Sequence, residues 1–251
     1  MNFVVSYKKK INFETEKFSK MLQLAYQEFI FKQDLAPYEA DLLRSAVLKL
    51  IGSSDVLYHN HLENGFYYNY PHIQYKSILG KAAILYLDKA VSSIGRLSSF
   101  FNTTVEINGK SISFEIEKIR AHLFDLRVHP VLSYYDIINW LPLQDDYYRQ
   151  YQDMQTDEER TALLQKKIIQ NIITFAKSVG WFIKEEIIVT DIKIYKKKWI
   201  SFKGEKFIGL NLRFATNVFL PSHIGLGKGA AHNYGVIYPV KIHSKAVKQN
   251  E

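Results

Sequence analysis

Hydrophobic and polar positions alternate, cluster and break in a way that divides the chain into two series of short elements. Phe3, Val5 and Tyr7 alternate with Val4 and Ser6, which predicts a first strand. Apolar residues from Phe18 to Phe31 predict a helix within Glu14 to Lys32. A second helix is expected from Pro37 to Ile51, where Leu42, Leu43, Ala46, Val47 and Leu50 keep one face, Pro37 suits the first turn and Gly52 the end. Ile73 to Ser77 and Ala83 to Leu87 predict a hairpin around Leu79-Gly80, and Asp88 to Phe101 a short helix. Two strands are expected around Asn108-Gly109 within Thr104 to Phe124, because that dipeptide accepts the positive φ of a tight hairpin.

Pro130, Pro142 and several polar turns mark a change of character after Leu126, with a strand expected within Val131 to Leu141. Thr156-Asp157-Glu158-Glu159 is a capping box ahead of Leu163, Leu164, Ile168, Ile172, Phe175, Ala176 and Val179, and Gly180 closes that helix. Two alternating segments follow, Glu186 to Phe202 and Lys206 to Phe214, around Lys203-Gly204. The first half thus approximates β-α-β-β-α-β, a ferredoxin-like or RNA-recognition-type sandwich. The second half is an abbreviated version of the same plan. The expected class is α+β, with two tandem ferredoxin-like domains, residues 1–126 and 127–251.

The second series contains an unusual stretch. Four of the twelve glycines lie in Leu220 to Gly235, with Lys228, His223, His232 and Tyr234. Backbone amides freed by Gly225, Gly227 and Gly229 could form a concave anion site, to which Lys228 adds charge. A Walker phosphate loop is excluded: Ser222 stands where its glycine belongs, Gly229 follows the lysine, and no helical period comes next. A dinucleotide fingerprint fails because Gly225-Leu226-Gly227 opens no helix. Two readings remain, a glycine-rich connection without a ligand and a loop that holds a phosphodiester backbone.

Charge changes the balance between them. The 251 residues carry a formal net charge of +8, so an anionic partner fits. The surplus is uneven, with 15 Lys+Arg against 13 Asp+Glu up to Leu126 and 18 against 12 beyond it. One face of the last hairpin carries Lys193, Tyr195, Lys197 and Arg213, suited to a nucleic-acid backbone but equally explained as a solvated face. There is no cysteine, which excludes disulfides, thiolate metal sites and cysteine nucleophiles. No apolar run approaches the roughly 20 residues of a membrane helix, and the first ten residues do not follow the order of a signal peptide. A cytoplasmic protein with no membrane partner is expected.

Gly52 to Pro71 breaks the periodic pattern and is dense in reactive types, including Tyr58-His59-Asn60-His61-Leu62-Glu63 and Phe66-Tyr67-Tyr68. In an extended segment His59 and His61 point to one side, where two imidazoles could approach one phosphate. A surface loop with two incidental histidines explains the same residues. So does a metal strand, with His59, His61 and Glu63 at i, i+2 and i+4 and His72 nearby.

Taken together, Leu220 to Gly235 resembles the glycine loop of the RAMP superfamily of CRISPR-associated proteins. Tyr70-Pro71-His72-Ile73-Gln74-Tyr75-Lys76 followed by Gly80-Lys81-Ala82-Ala83-Ile84 is similar to the amino-terminal domain of its repeat-RNA-processing endoribonucleases, b-type branch. The resemblance implies a metal-independent, cofactor-free cut within the repeats of a CRISPR precursor RNA. The 2′-OH attacks its own phosphodiester and leaves a 2′,3′-cyclic phosphate and a 5′-OH. It also implies His59 and His61 as the proton-transfer groups, with Tyr68 or Lys76 supplying hydrogen bonding or charge. Gly225, Gly227, Lys228, Gly229 and His232, with Lys193, Lys197 and Arg213, become the expected RNA contacts. A homodimer and contacts with CRISPR effector subunits are further partners the resemblance allows.

Overall fold

The computed structural model describes residues 22–52, 58, 61–62, 65–66, 70–143 and 146–241. The first strand of the described chain is β1 (Gln23–Asp34), where a helix is expected over Glu14 to Lys32. The reason is burial on both faces. Leu24, Tyr26 and Ile30 enter one core cluster, and Phe29 and Phe31 enter another. A strand covered on both sides shows a continuous apolar run rather than alternation, so its period is hidden. The strand expected over Phe3 to Tyr7 lies outside the described residues.

A 3-10 turn at Pro37–Glu39 leads into α1 (Ala40–Ile51), which ends at Gly52 with φ 85°. Two-residue strands β2 (His61–Leu62) and β3 (Gly65–Phe66) pair with each other. Then β4 (Ile73–Ile78) and β5 (Lys81–Leu87) form the expected hairpin. Its turn residues Leu79 and Gly80 have φ 51° and 82°, the double positive φ of a type I′ turn. Where a helix is expected over Asp88 to Phe101, a 3-10 segment Asp88–Ser93 precedes the short α2 (Gly95–Ser98). Asn108-Gly109 turns a small separate hairpin, β6 (Thr104–Ile107) and β7 (Lys110–Ser113), before β8 (Ile116–Asp125) rejoins the main sheet beside β1.

The second half runs β9 (Val128–Trp140), α3 (Asp146–Asp153), α4 (Asp157–Ser178), β10 (Val189–Phe202), β11 (Glu205–Val218) and β12 (Val236–Val240). The capping box forms as the sequence demands: Thr156 Oγ1 accepts from Glu159 N at 3.2 Å, and Glu159 Oε2 accepts from Thr156 N at 3.2 Å.

The two antiparallel sheets have the orders β4-β5-β1-β8 and β10-β11-β9-β12. In each, the four main strands lie in the sequence second, third, first, fourth, the ferredoxin-like order. The connections of the second copy differ most after the third strand. Between its third and fourth strands, where the first copy has Asp88–Ser98, residues 219–235 run as turns and bridges without a helix. The glycine-rich stretch replaces that element.

One core joins both copies. Leu24, Tyr26, Leu85 and Leu87 from the first sheet pack in a single cluster with Ile137, Leu212, Phe214, Phe175 and Leu226 from the second half. The opposite face of the first sheet packs on α1, α2 and the small hairpin through Phe29, Phe31, Ile84, Leu43, Val47 and Leu97. Every residue of β4 is buried as a result. The first sheet lies between its own helices and the second copy.

Candidate functional site

The inner face of the first sheet is not wholly apolar. Glu28 and Tyr26 of β1 and Gln74 and Lys76 of β4 stand on it, all buried, and each bonds to the glycine-rich stretch. Gln74 Oε1 accepts the Gly225 N–H at 2.8 Å, while its Nε2 donates to Tyr70 OH and Pro71 O, both at 3.0 Å. Lys76 Nζ donates to Ala230 O at 2.6 Å. Tyr75 N donates to Ala231 O at 2.9 Å, and Ser77 N donates to Asn233 Oδ1 at 3.1 Å. Asn233 Nδ2 in turn donates to Pro37 O at 3.1 Å, so the stretch is seated along the full length of β4.

Both histidines of the stretch are held by carboxylates of the first half. His223, in the left-handed region at φ 65°, lies with Nδ1 2.6 Å from Glu28 Oε1. Glu28 is fully buried and is also bonded by Arg120 and, at 3.1 Å, by Tyr26 OH. Burial alone would raise this carboxyl, but the His223 hydrogen bond and the charges of His223 and Arg120 outweigh it and hold it below the ordinary range. His232 bonds Asp41 of α1 through Nδ1, and that hydrogen bond is the main reason the Asp41 carboxyl is also lowered.

Lys76 differs from these groups. Its side chain has no exposure, and burial alone lowers its ammonium to about 7. The hydrogen bonding expected of it goes here to Ala230 O of the glycine-rich stretch. In this structure its ammonium lies behind the glycine-rich stretch, and it acts as a support for Ala230.

The glycines answer to packing as much as to turning. A Cβ on Gly225 would lie 2.6 Å from Ala230 O and 2.7 Å from Ala230 Cα. One on Gly235, at φ 61°, would lie 2.1 Å from Leu226 O. Gly225 is buried and its N–H is already donated to Gln74, so its expected place as a contact to an external backbone is corrected to that of a spacer. Gly227, Lys228, Gly229 and His232 are partly exposed and form the outward part of the stretch. Lys228 Nζ lies 4.5 Å from the Phe207 ring centroid, and Phe202 meets Tyr234 at 5.0 Å and His232 at 5.7 Å. The tip of the β10–β11 hairpin thus rests on the glycine-rich stretch.

On that hairpin Lys193, Tyr195 and Lys197 are exposed, but the single face expected for them is corrected: a register shift between Ile194 and Lys196 leaves Lys193 opposite Arg213 and Lys197 opposite Leu210, on the other face. Lys197 Nζ lies 3.2 Å from Tyr151 OH. Arg213 is exposed but engaged, donating through Nε and Nη2 to both oxygens of Asp136 at 2.8 and 2.9 Å. It presents the outer edge of an ion pair rather than a bare cation.

Of the reactive segment after Gly52, His59 and Tyr68 lie outside the described residues, as does Glu63 of the metal spacing. His61 is described at the backbone, opposite Phe66 in β2. The ends of the segment are well anchored. Tyr58 is buried and its OH donates to Ser93 O at 3.0 Å, while Tyr70 is buried against Phe175, 5.3 Å between ring centroids. Tyr58 thus belongs to the outer core of the first sheet and Tyr70 to the core shared with the second half. Beside Tyr70, His72 is buried, which lowers its imidazole. Its Nε2 donates to Ser178 O at 3.1 Å, and Nδ1 finds no hydrogen-bond partner among the described residues.

Sequence reasoning missed Glu28, Asp41, Gln74 and Asn233. The signal for Glu28 was present, since it continues the spacing Leu24, Tyr26, Glu28, Ile30 once that segment is read as a strand.

Comparisons with known proteins agree with this architecture. Residues 20–125 match the model of the Cas6b N-terminal domain and residues 127–240 that of the Cas6b C-terminal domain. An uncharacterized protein of Methanocaldococcus jannaschii is 25% identical over 111 residues, 44% of this chain and 74% of the relative. A crystal structure of Cas6b aligns over 87% of this chain and 100% of its own with a TM-score of 0.80 at 22% identity. A second Cas6b, described as a CRISPR RNA processing endoribonuclease, aligns over the same shares with a TM-score of 0.67 at 20% identity. These likenesses show a shared fold.

Proposed function

Because the chain belongs to the Cas6b family, its two halves matching that family's two domains, we propose that it is an endoribonuclease that cuts CRISPR precursor RNA within its repeats. We take residues 1–126 as the domain that carries the cutting groups and residues 127–251 as the domain whose glycine-rich stretch and basic hairpin grip the strand. The observation that carries the reading is the Gln74 carboxamide. It bonds Tyr70 and Pro71, the residues that follow the segment bearing the two imidazoles, and the glycine-rich stretch through Gly225. The described residue next to that segment and the stretch expected at the phosphates thus meet at one side chain, which supports the reading.

The chemistry needs a base for the ribose 2′-OH, an acid for the departing 5′ oxygen and cations for the phosphorane. His59 and His61 take the two proton roles, since an imidazole changes charge near neutral pH. Tyr68 donates to a phosphate oxygen. Gly227, Lys228, Gly229 and His232 hold the backbone beside the cut, and Lys193, Lys197 and the Arg213 edge extend the positive surface. Attack by the 2′-OH breaks the P–O5′ bond and leaves a 2′,3′-cyclic phosphate and a 5′-OH. No cofactor enters this scheme.

Cognate repeat RNA incubated with the protein in excess EDTA is the test. Cleavage leaving a cyclic phosphate, lost in a His59→Ala, His61→Ala double variant that still binds, is the expected result. Normal cutting by that variant would refute the residue roles. Tight binding without any cutting by the unaltered protein would reduce it to an RNA-holding subunit.

A further inference from the structure

Among the described residues, strand β10 lies at the edge of the second sheet, with a paired neighbour on one side only. Its outer half reads Tyr195-Lys196-Lys197-Lys198-Trp199, all exposed. Tyr195 is 51% exposed and Trp199 62%, whereas the other two tryptophans, Trp140 and Trp181, are buried. An indole this open leaves most of its apolar surface uncovered by the fold, and three adjacent lysines disfavour an apolar partner on charge grounds. Tyr148 of α3 meets the Trp199 ring edge-on at 6.0 Å and 70°, which restrains the ring without covering it. Cations stand over the neighbouring tyrosines, Lys167 Nζ 2.9 Å from the Tyr147 centroid and Lys197 Nζ 5.5 Å from that of Tyr151.

The combination of an open aromatic plane and a row of ammonium groups fits a polynucleotide with unpaired bases. The plane accepts any base face, and the cations accept phosphates. A fully paired stem offers phosphates but no free base face within its length. The patch is also continuous with the functional site, because Phe202 and Phe207 of the same hairpin rest on His232, Tyr234 and Lys228.

We propose that Trp199 is a stacking platform for an unpaired base of the bound RNA, with Lys197 on the same face and Lys196 and Lys198 on the other face of this edge strand holding the adjoining phosphates. The inference rests on the RNA-binding reading above and adds a contact to single-stranded bases.

Intrinsic fluorescence reads the contact directly, since Trp199 alone among the three indoles is open to a ligand. Titration of the full chain with repeat RNA, and separately with a short unstructured oligouridine, should quench the emission. Trp199→Phe should abolish the quenching while keeping most of the affinity. Trp199→Ala should weaken binding about tenfold with an unchanged slope of log K against log salt, because stacking releases no counterions. A Lys196→Ala, Lys198→Ala variant should instead flatten that slope. RNA that binds and is cut without quenching, or a Trp199→Ala variant with unaltered affinity, overturns this proposal and leaves the cleavage reading intact. Failure to bind either RNA overturns both.

Discussion

Replacing Lys76 by methionine tests the electrostatics behind the glycine-rich stretch. Its ammonium is fully buried, bonded to Ala230 O at 2.6 Å, and lowered from 10.5 to about 7 by burial. Between those two values the unfolded chain binds a proton that the folded protein does not, so stability rises with pH across this window and is lost as pH falls through 7. Each pH unit is worth about 1.4 kcal/mol, and the whole gap is on the order of 5 kcal/mol. Methionine keeps much of the side-chain volume and removes the titration, but it leaves the Ala230 carbonyl without its donor, at a cost of about 1–3 kcal/mol. The two stability curves should therefore cross. Near pH 6 the variant should equal or exceed the parent, and near pH 9 the parent should be clearly more stable. Urea unfolding at half-unit steps from pH 6 to 9.5 measures this, below the range in which the buried tyrosines ionise. Parallel curves for the two proteins would refute the buried, uncompensated charge.

Gly225→Ala forces a Cβ against the Ala230 backbone and should cost about 1–3 kcal/mol, seen as a fall of several degrees in Tm. Gly95→Ala, whose Cβ would meet nothing within 4 Å, should leave Tm unchanged or higher and serves as the control. Glu28 is lowered in the folded state, so its contribution is present above the ordinary carboxylate pKa and lost as pH falls through the folded value. Glu28→Gln should accordingly be less stable at pH 7 and show a flatter loss of stability between pH 5 and 3 by the same urea assay.

Much of the architecture was legible because the local signals agreed with the global fold. The Thr156 capping box and the Leu79-Gly80, Asn108-Gly109 and Lys203-Gly204 turns each demand one conformation, and each adopts it, whereas two register shifts in β10 break the alternation its sequence suggests. Strand β1 was not legible, because leucine, alanine, glutamine and glutamate favour helix and burial on both faces erases the two-residue period. The seat of the glycine-rich stretch was hidden for another reason. Gln74, Lys76 and Glu28 are ordinary surface residue types, and only the packing of one sheet on another turns them inward. Without that packing, Lys76 in a basic chain looks like a substrate contact, and Gly225 looks like an open amide.

Translation meets the inner face of the first sheet long before the chain that covers it. Strands β1, β4, β5 and β8 leave the ribosome complete, yet the stretch from Leu220 to Gly235 that caps Glu28, Gln74 and Lys76 emerges only after β9, β10 and β11. During that interval a carboxylate, a carboxamide and an ammonium group interrupt what would otherwise be a bare apolar wall, and they keep it hydrated. Polar groups on an uncovered sheet face reduce the contiguous apolar area open to other chains, so the residues that anchor the stretch also shrink the surface left bare before it arrives.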